Sequence, residues 1–207
     1  MTTAPAGLGE HQLDALREVG NIGAGTAATA LAAMIGAPVQ IGIPRVSLVP
    51  VERVPDEVGG GEGLVAAVFL GVVGDAEGHM LVVMREGAAR SLVGTLLGGA
   101  GAGPAMDPFG ELGVSALQEV GNVLTSAYLG ALAQLTGLRL EPTPPAVGVD
   151  MAGALLGAAL AEVAVHSPTA LLIDSGIGAG DDPIGDVLFL PGPEALATVL
   201  GRLGLPS

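Results

Sequence analysis

The tetrapeptide Glu-Val-Gly-Asn occurs twice in this chain, at Glu18–Asn21 and Glu119–Asn122, and its two asparagines are the only ones among 207 residues. The match extends outward. Asp14 and Ser115 stand four positions before the two glutamates, Pro44 and Pro145 stand twenty-three after the two asparagines, and every pair is 101 residues apart. A spacing held over such a length is an internal repeat, and two copies are too few for a solenoid. The expectation is one compact domain with pseudo-twofold symmetry. Its halves are 1–104 and 105–207, joined across the Gly-rich stretch from Gly98 to Pro108.

Each half opens on a long helical pattern, Glu10 to Ile35 and Glu111 to Leu135, followed by Gly36 or Gly137, where glycine suits a helix C-terminus. Strands are expected next. In the first half Val39 to Pro50, Leu64 to Val73 and Met80 to Met84 are β-rich runs bounded by turn residues, and Glu86 to Leu97 then has a helical pattern. Val187 to Leu190 followed by Pro193 to Leu203 repeats the order strand then helix, with an insertion near Gly178 to Pro183. Met151 to Ala164 looks more helical than its first-half counterpart. The fold class expected is therefore mixed α/β (α+β), two αβ half-repeats whose long surface helices pack on a β-sheet.

Composition removes several classes of function. A net charge of −14 repels phosphate backbones and anionic membranes, and with Tyr128, Phe69, Phe109 and Phe189 as the only aromatics there is no platform for stacking bases. No nucleic-acid partner is expected. The absence of cysteine rules out a disulfide framework and a thiolate metal site, and His11, His79 and His166 are too dispersed to serve as ligands. The start, MTTAPAGLGEHQ, lacks the basic and apolar regions of a signal peptide. The longest apolar stretch, Met151 to Val165, contains Glu162 and is shorter than the roughly 20 residues a bilayer span needs. A soluble cytoplasmic protein without membrane insertion is expected.

On a helix, positions i, i+4 and i+7 share a stripe, so Asp14, Glu18 and Asn21 project together, as do Ser115, Glu119 and Asn122. Leu13, Leu16, Val19 and Ile22 in one helix and Val114, Leu117, Val120 and Leu124 in the other form the faces expected to bury. The plainer account makes both stripes solvated faces. Duplication argues for more, because a solvated face needs polarity but no particular amide, and the adjoining glycine costs about 1 kcal/mol against alanine in a helix interior. Gly20 and Gly121 would admit a close approach from outside, or close packing within the protein.

Asparagine donates and accepts hydrogen bonds without titrating, so it can orient a water but cannot deprotonate it. That suits hydrolysis of an acyl phosphate, whose carboxylate leaves readily and whose catalysis is mostly positioning and charge stabilisation. The glutamate supplies a fixed charge able to clamp a partner lysine. Sequence signatures of P-loop nucleotide hydrolysis, zinc hydrolysis, triad chemistry and CxxC redox chemistry are all missing. The string Gly20, Gly23, Gly25 follows no strand and is not kept in the second copy, so it is not taken as a nucleotide loop.

The full pattern resembles the CheC-type chemotaxis phosphatases, whose signature is Asp or Ser, three residues, Glu, two residues, Asn, twenty-two residues, Pro. It is met by Asp14, Glu18, Asn21 and Pro44, and again by Ser115, Glu119, Asn122 and Pro145. LREVGNIGAGTAATAL and LQEVGNVLTSAYLGAL look like that family's two long helices. The resemblance implies a phosphatase acting on the aspartyl phosphate of a CheY-type response regulator. Glu18 and Glu119 would dock the regulator's active-site lysine, and Asn21 and Asn122 would enter its acidic pocket and align water. Asp14 and Ser115 would support them, with Pro44 and Pro145 structural. The protein itself would need no cofactor, the Mg²⁺ belonging to the regulator. A CheD-type deamidase is a further partner implied. The alternative is a non-catalytic module that regulates such a deamidase or a flagellar switch partner.

Overall fold

The computed structural model describes residues 9–41, 45–58, 62–98, 107–164, 169–179, 182–192 and 194–204. Pro44 and His166 lie outside them, as does most of the expected joint between the halves.

The long helices are α1 (Glu10–Ile35) and α4 (Glu111–Thr136), and every boundary of one is offset from the other by 101 residues. Both end as their sequences predict. Gly36 and Gly137 take φ of 74° and 70°, the left-handed region where a Cβ is penalised, and their N–H groups bond to the carbonyls of Ala32 and Ala133. Glu10 and Glu111 place a negative charge in each first turn, where the helix dipole favours it.

The strands are β1 (Gln40–Ile41), β2 (Arg45–Pro50), β3 (Leu64–Gly74), β4 (Gly78–Arg85), β5 (Leu140–Pro142), β6 (Ala146–Met151), β7 (Thr169–Ala179) and β8 (Asp182–Pro191). The shorter helices are α2 (Val54–Val58), preceded by a 3₁₀ turn, then α3 (Glu86–Leu96), α5 (Ala152–Ala164) and α6 (Ala195–Arg202). The eight strands form one antiparallel sheet in the order β1, β7, β8, β4, β3, β5, with β2 also on β7 and β6 also on β3. β4 and β8 pair at its centre, Met80 opposite Phe189 and Val82 opposite Val187. The edges are exchanged. β1 and β2 of the first half extend the β7–β8 hairpin of the second, while β5 and β6 extend the β3–β4 hairpin of the first.

Both faces of this sheet are covered, which explains why its central strands are almost continuously apolar. Along β3, Ala66, Val68, Leu70 and Val72 turn toward a core shared with α1, α3, α4 and α6, while Val65 and Ala67 turn toward a smaller core shared with α2 and α5. The structure also refines the expected elements. In the β-rich run Val39 to Pro50 the described residues form β1 and β2, both paired with β7. As expected, α5 is more helical than its first-half counterpart, which is only the 3₁₀ turn and α2. Strands β5, β6 and β7 fall outside the β-rich runs of the sequence: β5 is short, Gly148 and Asp150 interrupt β6, and the apolar run Ala170 to Ile173 of β7 gives way to Asp174, Ser175 and Gly176.

Candidate functional site

The roll of each long helix is set by what it buries. Leu13, Leu16 and Val19 of α1 and Leu117, Val120 and Leu124 of α4 are buried, each contributing about 1.5–3 kcal/mol through loss of apolar surface. That turns Asp14, Glu18 and Asn21 outward as an exposed row on α1, and Ser115 and Glu119 outward on α4 with Asn122 half-buried beside them. The glycines next to the asparagines face inward. Gly121 lies directly under the Val68 side chain of β3, leaving no room for a Cβ, and Gly20 is buried. Close packing inside the protein therefore accounts for Gly121. Gly23, in the string set aside as a nucleotide loop, is pressed against the ring of Tyr128 on α4, where a Cβ would stand 2.5 Å from the ring.

The α4 row opens into a hollow of about 410 Å³. Ser115, Gln118, Glu119 and Asn122 form one wall, and Pro142, Thr143, Pro144 and Pro145 form the other. The second wall exists because two prolines interrupt an edge strand. β5 pairs with β3 as far as Pro142 opposite Val72, and β6 resumes at Ala146 opposite Phe69, so three residues face only two on the partner. Pro144 and Pro145 have no N–H to offer the ladder, and the chain bulges outward there. The bulge is fastened at both ends. Thr143 exchanges two hydrogen bonds with Gly71, its N–H donating to the Gly71 carbonyl and its Oγ1 accepting from the Gly71 N–H, each at 2.8 Å. Gln118 Nε2 donates to the Pro145 carbonyl at 3.1 Å.

The structure thus gathers Ser115, Glu119, Asn122 and Pro145, separated in sequence by up to thirty positions, around one concavity. On α1, Asp14 and Arg17 form an exposed ion pair at 2.6 Å, and Glu18 and Asn21 are exposed beside it. Sequence reasoning did not single out Gln118, Thr143 or Pro142. Comparing the repeats hides Gln118, because its equivalent in the first copy is Arg17.

The protein-family model that matches is described as CheC-like, and it matches twice, over residues 12–48 and 112–149. Each match contains one row and the proline that follows it. The chain is also 38% identical over 175 residues to the CheY-P phosphatase CheC of Bacillus subtilis strain 168, covering 83% of this chain and 82% of that protein. The chain belongs to the CheC-like family.

The same fold is seen in solved structures. The crystal structure of Thermotoga maritima FliY covers 95% of this chain and 98% of its own with a TM-score of 0.74 and 18% identity. The Borrelia burgdorferi structure described as a CheX–CheY–BeF₃–Mg²⁺ complex matches 83% of this chain and 96% of its own, with a TM-score of 0.53 and 18% identity. No helix among the described residues of this CheC-like chain is long and apolar enough to cross a membrane.

Proposed function

We propose that this CheC-like protein is a phosphatase that hydrolyses the aspartyl phosphate of a CheY-type response regulator, through two sites on α1 and α4. The observation that carries this reading is the position of the duplicated motif. In both copies the glutamate is exposed with the asparagine one helical turn further on, exposed in α1 and half-buried in α4, where the pair borders an open hollow that a second protein can reach. The relative named as a CheY-P phosphatase supports the substrate, and a solved structure described as a complex with CheY supports the partner.

In this proposal Glu18 or Glu119 attracts a lysine of the regulator, and Asn21 or Asn122 enters its phosphorylation pocket. The asparagine amide holds a water in line with the scissile bond. The water oxygen bonds to phosphorus, the bond from phosphorus to the aspartyl oxygen breaks with its electron pair, and carboxylate and inorganic phosphate result. Asparagine contributes orientation and no proton uptake, which suits a reaction whose leaving group is already good. The divalent ion is assigned to the regulator, where its charge would be spread over the phosphoryl oxygens.

The test is phosphate release from a phosphorylated CheY-type regulator. Asn21→Ala with Asn122→Ala should abolish the stimulated rate while the melting temperature stays within a few degrees, because neither side chain fills a core cavity. Each single variant should retain part of the rate. A double variant that dephosphorylates the regulator at the wild-type rate would sink the assignment of these amides.

A further inference from the structure

The two rows differ at the residue before each glutamate, and the structure gives that position different partners. In α1 it is Arg17, whose guanidinium bonds to Asp14 on the same helix at 2.6 Å. In α4 it is Gln118, whose amide leaves the helix and donates to the Pro145 carbonyl across the hollow, 27 residues away in sequence.

We infer that Gln118 is a positioning residue of the second site: its hydrogen bond to Pro145 holds the Thr143–Pro145 bulge at a set distance from Glu119 and Asn122. The geometry of the bulge makes that bond consequential. Prolines at 144 and 145 cannot pair with β3, so the residues there are held by Thr143 on the sheet side and by Gln118 on the helix side. Ala146 then rejoins the ladder opposite Phe69. Losing the Gln118 bond frees the helix-side end, and the wall facing Asn122 is no longer fixed relative to it. A protein surface seated in the hollow would meet Glu119 and Asn122 on one side and this wall on the other. The wall therefore governs how the regulator's acyl phosphate is presented to the asparagine, and the glutamate still governs attraction.

The inference rests on the phosphatase reading, and its test separates the two. In the full chain carrying Asn21→Ala, turnover comes from the second site. Gln118→Met keeps length and removes the amide, and Gln118→Glu keeps shape but presents a carboxylate that cannot donate to a carbonyl. Both should lower kcat about tenfold with KM changed less than about threefold, since misplacing a reacting group by a fraction of an ångström lowers the rate without removing the docking charge. In the chain carrying Asn122→Ala, where the first site works, Gln118→Met should change kcat less than about twofold, as its effect on the remaining site is indirect. Unchanged kcat for both substitutions in the Asn21→Ala chain overturns the inference. So does an equal fall in both backgrounds, which would mark a loss of general stability. If the double asparagine variant is still fully active, the phosphatase assignment of the asparagines fails instead, independently of Gln118.

Discussion

Glu18 and Glu119 are exposed carboxylates, so whatever they contribute to a complex depends on charge facing charge across an interface that loses water as it forms. A lysine at either position would set like charges opposite each other, which costs several kcal/mol, whereas glutamine merely forfeits the attraction. Replacing both by Lys should therefore weaken regulator binding far more than replacing both by Gln, as measured by titration with a regulator carrying a stable phosphoryl mimic. The gap should narrow as salt rises, since the Debye length is about 10 Å at 0.1 M. Equal affinities for the two variants would return these glutamates to the status of a solvated face. The Asp14–Arg17 pair is a different case. Both side chains are more than half exposed, and such pairs contribute about 0–1 kcal/mol, so Arg17→Ala should barely move the melting temperature.

Between elements, the crossing of α1 and α4 is decided by unequal side chains at equivalent positions. Gly23 of α1, whose repeat equivalent on α4 is Leu124, receives the ring of Tyr128, whose own equivalent on α1 is Ala27. Gly23→Ala should thus lower stability by about 1–3 kcal/mol, the usual cost of overpacking, even though alanine is the better helix former. Gly130→Ala is the matched control. Its Cβ would meet nothing within 4 Å, so the substitution should raise stability by about 0.5–1 kcal/mol through helix propensity alone. Urea midpoints of the two variants check both signs, and a stabilising Gly23→Ala would refute the tight crossing.

At the scale of the molecule, the exchange of edge strands makes each half incomplete without the other. Residues 1–104 alone would leave both edges of the β3–β4 hairpin unpaired, along with the apolar face of α1 that packs on β7 and α4. That fragment should show no cooperative unfolding by circular dichroism, and mixing it with 105–207 should restore a transition. The halves are also tied at the surface. Asp75, in the β3–β4 turn, accepts the Arg139 N–H at 2.9 Å, and its pKa is lowered from the ordinary 3.8 by that bond, with a further contribution from the Arg139 charge. A carboxylate with a depressed pKa stabilises the fold above its unfolded value, and the contribution is lost as pH falls through the lower folded value. The stability difference between wild type and Asp75→Asn should accordingly be constant above about pH 5 and shrink below 3.8. Urea titrations across that range measure it.

The sequence alone determined the two long helices, their glycine ends, the outward direction of both polar rows and the family to which the chain belongs. All of these follow from local order: a period of 3.6 residues, a left-handed stop and a motif repeated at one spacing hold wherever the helices sit. Tertiary structure decided the rest. Gly121 gave no sign in its own helix of whether it faced a partner or Val68, because the answer lies on a strand more than fifty residues away. The strands β6 and β7 acquire their role from the neighbours they pair with, and a ladder is closed by residues distant in the chain. Half of the second-site hollow was legible as Ser115, Glu119, Asn122 and Pro145. Gln118, Thr143 and Pro142 join them only because α4 and β3 hold the two ends of a proline bulge at once, a constraint of packing that no local pattern records.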